Sequence, residues 1–380
     1  MLAGIDALLA ARSAAVLSGR LPQFMERVDA TNRALRLRQR QLYANLRKLG
    51  LRSLAYDRQP EWVPEAQPQH GRGAYAVRLF MLLQIGGVDR APWVTSLAYT
   101  FAERGGRWLL VDDDDLDGQA GAEEHNHQPW DLGSMEVIRR PGVVVATGAG
   151  DRAYGTRLAR EAGIAMPAVR AATRRAPAGI FIVAVKDRRS FLDDWRTGGH
   201  PAAAVAVPNW VRTGPRDQRL VKPGGCRVVV NPADRNQADR LLLAHEFTHA
   251  ATCTLGHGAP IWLVEGFAEY VENHLAEQSG YRRWVADRRR ELLRKAVPAL
   301  TVLPIDGVFH GDYDEDTYGV SWVITEYLVT RYGLSKVNAL YAALAAGADD
   351  PDARERTMRA QLGVGEAALV AAVKKYDGPR

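Results

Sequence analysis

Residues 241–272 read LLLAHEFTHAATCTLGHGAPIWLVEGFAEYVE, and how this stretch is read decides the fold of the chain. Few helix breakers lie between Ala238 and Thr254, so His245-Glu246-Phe247-Thr248-His249 is expected on a helix. Residues four apart on a helix lie one above the other, which aims the His245 and His249 imidazoles at one spot able to hold a zinc ion. Gly256, Gly258 and Pro260 supply a turn that ends this helix and lets a second one return beside it. Glu265, sixteen residues after His249, then falls in the first turn of that second helix. A hydrolytic zinc site needs three protein ligands and one open position, so a carboxylate here completes a His, His, Glu set. Glu246 projects off the ligating face but stays near the open position. There it can take a proton from zinc-bound water attacking a carbonyl and pass it to the leaving amine.

The H-E-x-x-H pentad also arises by chance in many helices. Joined to W-x-x-E-G-x-A-E-Y over 262–270, it resembles the gluzincin group of zinc metallopeptidases, most closely the peptidase MA-like domains. The resemblance is strong in the two helices and looser over roughly the last two-thirds of the chain. It implies one zinc ion held by His245, His249 and Glu265, a general base at Glu246, and a peptide or protein substrate cut without a covalent enzyme intermediate. It also implies a tyrosine at the start of a later helix, donating to the oxyanion that forms at the attacked carbonyl. Tyr318 is the candidate and Tyr313 the reserve.

Other residues in the stretch leave alternatives open. Glu269, one turn beyond Glu265, could accept a hydrogen bond from a ligand histidine, or be a carboxylate facing solvent. His257 could join the substrate wall, or simply belong to a polar loop. Gly133-Ser134-Met135-Glu136-Val137 is similar to the Gly-x-Met-Glu-Asn segment with which zinc aminopeptidases hold the substrate amine. It lacks the asparagine and lies over a hundred residues before His245, so it is not counted.

At 380 residues the chain is long enough for two domains, and its 47% hydrophobic content is ordinary for a globular core. The net charge of +6 is a small difference between 50 basic and 44 acidic residues. The arginine clusters at 36–40 and 288–290 lack interleaved aromatics, so they read as solvated helix faces and no nucleic-acid partner is expected. Cys226 and Cys253 cannot form a disulfide framework; a single bridge is possible, but two buried free thiols are expected. Cys253 is not counted as a ligand, because a fourth protein ligand would close the catalytic position. Residues 1–24 show no basic leader followed by an apolar block, and no apolar run is long enough to span a bilayer. The resemblance implies a place outside the cytoplasm or at the cell surface, behind a signal or anchor.

Towards the N-terminus the expected elements are helices at Ile5–Leu17 and Phe24–Leu49, then strands at Leu54–Tyr56, Ala74–Ile85, Trp93–Glu103 and Arg107–Asp112. Gly105-Gly106 is expected to turn the last hairpin. This order resembles the cone-shaped nuclear transport factor 2-like fold and gives an expected α+β domain over 1–128. Asp112–Asp115, Asp117, Glu123 and Glu124, followed by His125 and His127, do not have EF-hand spacing and read as a solvated linker.

Residues 129–380 are expected to form the zinc domain, a small mixed sheet on the H-E-x-x-H helix followed by a helical part. Its strands are expected at Val143–Val145, Gly179–Val185, Ala203–Pro208 and Arg227–Val230, with a helix at Arg152–Gly163 and a short one at Phe191–Trp195. Helices at Tyr281–Ala296, Ser335–Ala345 and Ala353–Val373 follow. The chain is thus expected to be α+β throughout. The competing expectation keeps the zinc but makes the chain a non-catalytic binding or regulatory module acting through its N-terminal domain.

Overall fold

The computed structural model describes residues 1–59, 63–113, 128–175, 179–191, 196–197, 200–212, 220–310, 315–347 and 350–379. The chain is α+β. The helices are α1 (Leu2–Ser18), α2 (Leu21–Met25), α3 (Arg33–Lys48), α4 (Arg152–Thr173), α5 (Arg240–Thr252), α6 (Ile261–Ala276), α7 (Arg282–Arg294), α8 (Ala296–Ala299), α9 (Glu315–Tyr332), α10 (Leu334–Ala345), α11 (Pro351–Leu362) and α12 (Glu366–Val373). The strands are β1 (Leu51–Arg58), β2 (Glu65–Ala66), β3 (Ala74–Ile85), β4 (Trp93–Arg104), β5 (Arg107–Asp112), β6 (Met135–Arg140), β7 (Val143–Gly148), β8 (Ile180–Val183), β9 (Arg196–Thr197), β10 (His200–Pro201), β11 (Ala204–Arg212) and β12 (Leu220–Val230).

Two compact units divide the chain. One holds Met1–Thr156, Ala178–Leu192 and Pro208–Gly225, the other Arg157–Pro177, Asp193–Val207 and Cys226–Arg380. Of the acidic segment expected as a solvated linker before residue 129, Asp112 ends β5 and Asp112 and Asp113 both pair with Arg38, largely shielded from solvent, while the rest, with His125 and His127, lies at 114–127 outside the described residues. The short helix expected at Phe191–Trp195 falls mostly outside them too.

In the first unit, α1, α2 and α3 precede an antiparallel sheet in the order β1-β3-β4-β5, with β2 on the edge of β3. β3 and β4 pair from Ala74↔Ala102 to Leu83↔Trp93. β3 is buried at most positions on both faces, which is why its sequence is a near-continuous apolar run rather than an alternation. Gly105 and Gly106 both have positive φ, 58° and 75°, and close the β4–β5 hairpin between the paired Arg104 and Arg107. The single helix expected over 24–49 is instead broken at 26–32. Asp29 Oδ1 accepts from the Thr31 amide at 2.8 Å, and Asn32 caps α3 through the Leu35 amide at 3.0 Å. Short polar side chains offer the backbone alternatives to the helical ladder, and they win here. β6, which no expectation placed, pairs antiparallel with β7, and β7 pairs parallel with β8.

The second unit is mainly helical, and one apolar core joins α6 to α12. Trp262, Leu263 and Phe267 of α6 meet Trp322, Val323 and Ile324 of α9 and Val337, Leu340 and Leu344 of α10. Gly266 is what lets α6 and α9 approach: a Cβ there would lie 2.3 Å from the Ser321 carbonyl oxygen. The helix expected over 353–373 is two helices, because Gly363 adopts a left-handed φ of 77° and ends α11. Among the described residues no helix is long and apolar enough to cross a membrane.

Candidate metal centre

α5 begins at Asp239, whose Oδ1 accepts from the Leu241 and Leu242 amides at 2.8 and 3.2 Å and so satisfies two of the free donors at the helix start. Leu243, Ala244, Phe247, Ala250 and Ala251 are buried, and Tyr341 of α10 donates to the Thr252 hydroxyl at 3.2 Å. His245 and His249 are left on the face turned to α6. Their ring centroids are 4.8 Å apart.

α6 begins after Pro260. The Ile261 amide donates to Asp306 Oδ1 at 2.7 Å, which fixes the turn that carries Glu265. Glu265 Oε2 stands 3.3 Å from His245 Nε2 and 3.5 Å from His249 Nε2. An ion with tetrahedral ligands at zinc–nitrogen and zinc–oxygen distances sets those ligand atoms about 3.3 Å apart. Two neutral imidazole nitrogens and one carboxylate oxygen at this spacing therefore fit zinc. The three side chains are 13–19% exposed, so the site is recessed but not sealed. His245, His249 and Glu265, the ligands expected from the sequence, form one group able to hold a metal ion.

Electrostatics concentrate here. Burial pushes Glu265 up, but the His249 charge and hydrogen bonds from His245 and His249 outweigh it and hold the carboxyl below the usual carboxylate range. Burial disfavours the charged form of His245, yet its bonds to Glu265 and Glu272 hold its value well above the ordinary one. Glu246 is 6% exposed, and burial pushes its carboxyl up to about 7 against the pull of His249 and His245.

Glu272 was missed in the sequence. Its Oε2 lies 3.2 Å from His245 Nδ1, the nitrogen turned away from Glu265. Glu269, the residue expected in that role, has Oε2 3.2 Å from Asn273 Nδ2 and 3.1 Å from Arg288 Nη1. Glu265, Glu269 and Glu272 follow the i, i+4, i+7 spacing of one helix face, and that stripe was the available signal. Tyr318 sits in the first turn of α9, its ring edge-to-face with Phe309 at 5.3 Å. Tyr313 lies outside the described residues, and His257 is exposed in the α5–α6 loop. Cys226 and Cys253 are free thiols, as expected, but only Cys226 is buried and Cys253 is half-buried. The Cys226 thiol is pushed well up by its hydrogen bond with Cys253 and by burial.

No protein-family model and no curated protein matches the chain. Solved structures similar to it include yeast LTA4 hydrolase in complex with bestatin, at 12% identity and a TM-score of 0.40 over 64% of this chain and 38% of that one. Native yeast LTA4 hydrolase has 11% identity and a TM-score of 0.38 over 64% and 38%. Native leukotriene A4 hydrolase from Saccharomyces cerevisiae has 13% identity and a TM-score of 0.37 over 61% and 36%. The chain thus spans well under half the length of these proteins.

Proposed function

We propose that this chain is a zinc metallopeptidase of the gluzincin type, hydrolysing peptide bonds in a peptide or protein substrate. The observation that carries the reading is the placement of Glu265 Oε2 at 3.3 and 3.5 Å from the two histidine Nε2 atoms, with Glu246 buried beside them. Zinc, when bound by His245, His249 and Glu265, supplies Lewis acidity that acidifies a water molecule and polarises a carbonyl.

The chain's own residues do the rest. Glu246 takes the proton of the attacking water and delivers it to the leaving amine. Its neighbours limit the water around it, so the proton passes between a few fixed groups. Tyr318, on the helix that packs along α6, donates to the developing oxyanion. The N-terminal residues 1–128, as a nuclear transport factor 2-like domain, dock or hold the substrate rather than react with it.

The test is zinc stoichiometry on the purified protein, with cleavage of an unstructured protein such as casein by wild type and Glu246→Gln. One zinc in both and cleavage by wild type alone is the expected result. Zinc in both and cleavage by neither would favour a binding module, and no zinc in wild type would end the reading.

A further inference from the structure

His245 is gripped at both ring nitrogens by carboxylates of a single helix, Glu265 at Nε2 (3.3 Å) and Glu272 at Nδ1 (3.2 Å). They lie seven residues apart on α6, two turns along the face that packs on α5. We infer that Glu272 is a positioning residue: by accepting a hydrogen bond from His245 Nδ1–H it leaves the Nε2 lone pair as the only one that can meet an ion, and it fixes the plane of the ring. This rests on the zinc reading above and deepens it.

Three features support this assignment. A carboxylate oxygen facing an imidazole nitrogen at 3.2 Å accepts, so the proton between them belongs to Nδ1. Such a partner holds the tautomer and raises the basicity of the ligand nitrogen, and its loss costs about 10–100-fold in metal affinity. Among the described residues His249 meets a carboxylate through Nε2 alone, so the pair is asymmetric and the constraint falls on the first histidine.

A rival use of the same atoms is a second cation held by His245, Glu269 and Glu272, whose ligand atoms lie within 4.8 Å of one another. Glu269 already has a cation. Arg288 Nη1 stands 3.1 Å from its Oε2, stacked between the Trp284 and Trp322 rings at 5.7 and 5.5 Å, and Asn273 donates to the same oxygen. A second metal ion would have to displace that guanidinium. Glu272, with His245 as its partner, is left to the positioning role.

The experiment is zinc affinity of the full chain, measured by competition with a chromophoric chelator at fixed pH, for wild type, Glu272→Ala and Glu272→Gln. The melting temperature of each metal-free protein serves as the check on folding. Glu272→Ala is expected to bind one zinc 10–100-fold more weakly. Glu272→Gln, whose amide oxygen can still accept from Nδ1, is expected to recover most of that loss, which a defect of helix packing would not show. Equal affinity of wild type and both variants would overturn the positioning role while leaving the metal centre standing. Two zinc ions per wild-type chain, one lost in Glu272→Ala, would overturn it in favour of the second cation. A wild type that binds no zinc would overturn both this and the reading on which it rests.

Discussion

Two regions of this chain bury polar side chains, and they do so to opposite ends. In the first unit Arg12, Gln39 and Asn45 are at most 1% exposed. Asn45 Nδ2 donates to the Trp130 and Gly133 carbonyls at 3.0 and 2.7 Å, and its Oδ1 accepts from the Met135 amide at 3.1 Å. Arg12 donates to the Phe24 carbonyl and to Gln39. Asn45 ties backbone to backbone and is complete as it stands, whereas Gln39 links two side chains, accepting from Arg12 and donating to Asp113. Between α5 and α6 the polar groups face each other instead: buried Glu246 and Glu269 and half-buried Glu265 and Glu272 surround half-buried His245 and His249. Glu246 and Glu269 are both held above the ordinary carboxylate range, burial being the largest cause in each. Acids packed this way gain from a cation, whereas the asparagine would gain nothing. Burial of polar atoms marks a site when those atoms compete for charge, and marks a joint when they are satisfied by the main chain.

The largest expected effect sharpens that difference. On the proposed reading Glu246→Gln removes the base and leaves His245, His249 and Glu265 in place, so cleavage is expected to fall about 10²–10⁴-fold with zinc content unchanged. Steady-state rates and metal analysis on the same preparation check it. His245→Ala is expected to lose zinc outright. If Glu246→Gln cleaved as well as wild type, the contrast between site and joint would fail at its centre.

Gly266→Ala comes next. The added Cβ meets the Ser321 backbone at 2.3 Å, which no rotamer change relieves, so α6 must shift away from α9. A loss of about 3 kcal/mol is expected in urea unfolding, together with weaker zinc binding because Glu265 is the adjacent residue. The first unit offers the matched case in Asn45→Ala, which leaves the Met135 amide and two carbonyls without their partner. About 2 kcal/mol of stability should go with no change in zinc affinity, and altered zinc binding in Asn45→Ala would break the comparison.

How much of this was legible in the sequence follows from the range of the forces. Strands β3 and β5 were readable to the residue, because alternation, apolar runs and a Gly-Gly turn are local signals. The four-residue spacing of His245 and His249 was readable because helix geometry alone makes them neighbours. Glu265 needed the chemistry of a third ligand as well as a turn to bring it back. The choice between Glu269 and Glu272 was not readable, since both lie on the right face and the outcome depends on how far α6 is rotated against α5 and on where Arg288, from a third helix, comes to rest. The breaks at 26–32 and at Gly363 were missed because they rest on side-chain caps and a left-handed residue inside stretches whose apolar period continues.

The smallest effect concerns how the helix that carries His245 and His249 is anchored. Glu161 of α4, its side chain 6% exposed, takes Arg240 Nε at 2.7 Å in the first residue of α5 and Arg160 Nη2 at 3.0 Å. Burial pushes its carboxyl up, but the hydrogen bonds and charges of Arg240 and Arg160 outweigh this and leave it below the usual value. A carboxyl lowered on folding adds stability above its unfolded value, and the gain disappears as pH falls through the folded value. Glu161→Gln is therefore expected to cost about 1 kcal/mol near neutral pH, a modest figure because both arginines reach solvent. The gap between the two proteins should close in acid, as both curves pass below the ordinary carboxylate range. Chemical unfolding at neutral pH and again in acid tests this. A gap that stayed constant would show that Glu161 acts by shape alone, with the start of α5 held by packing rather than by charge.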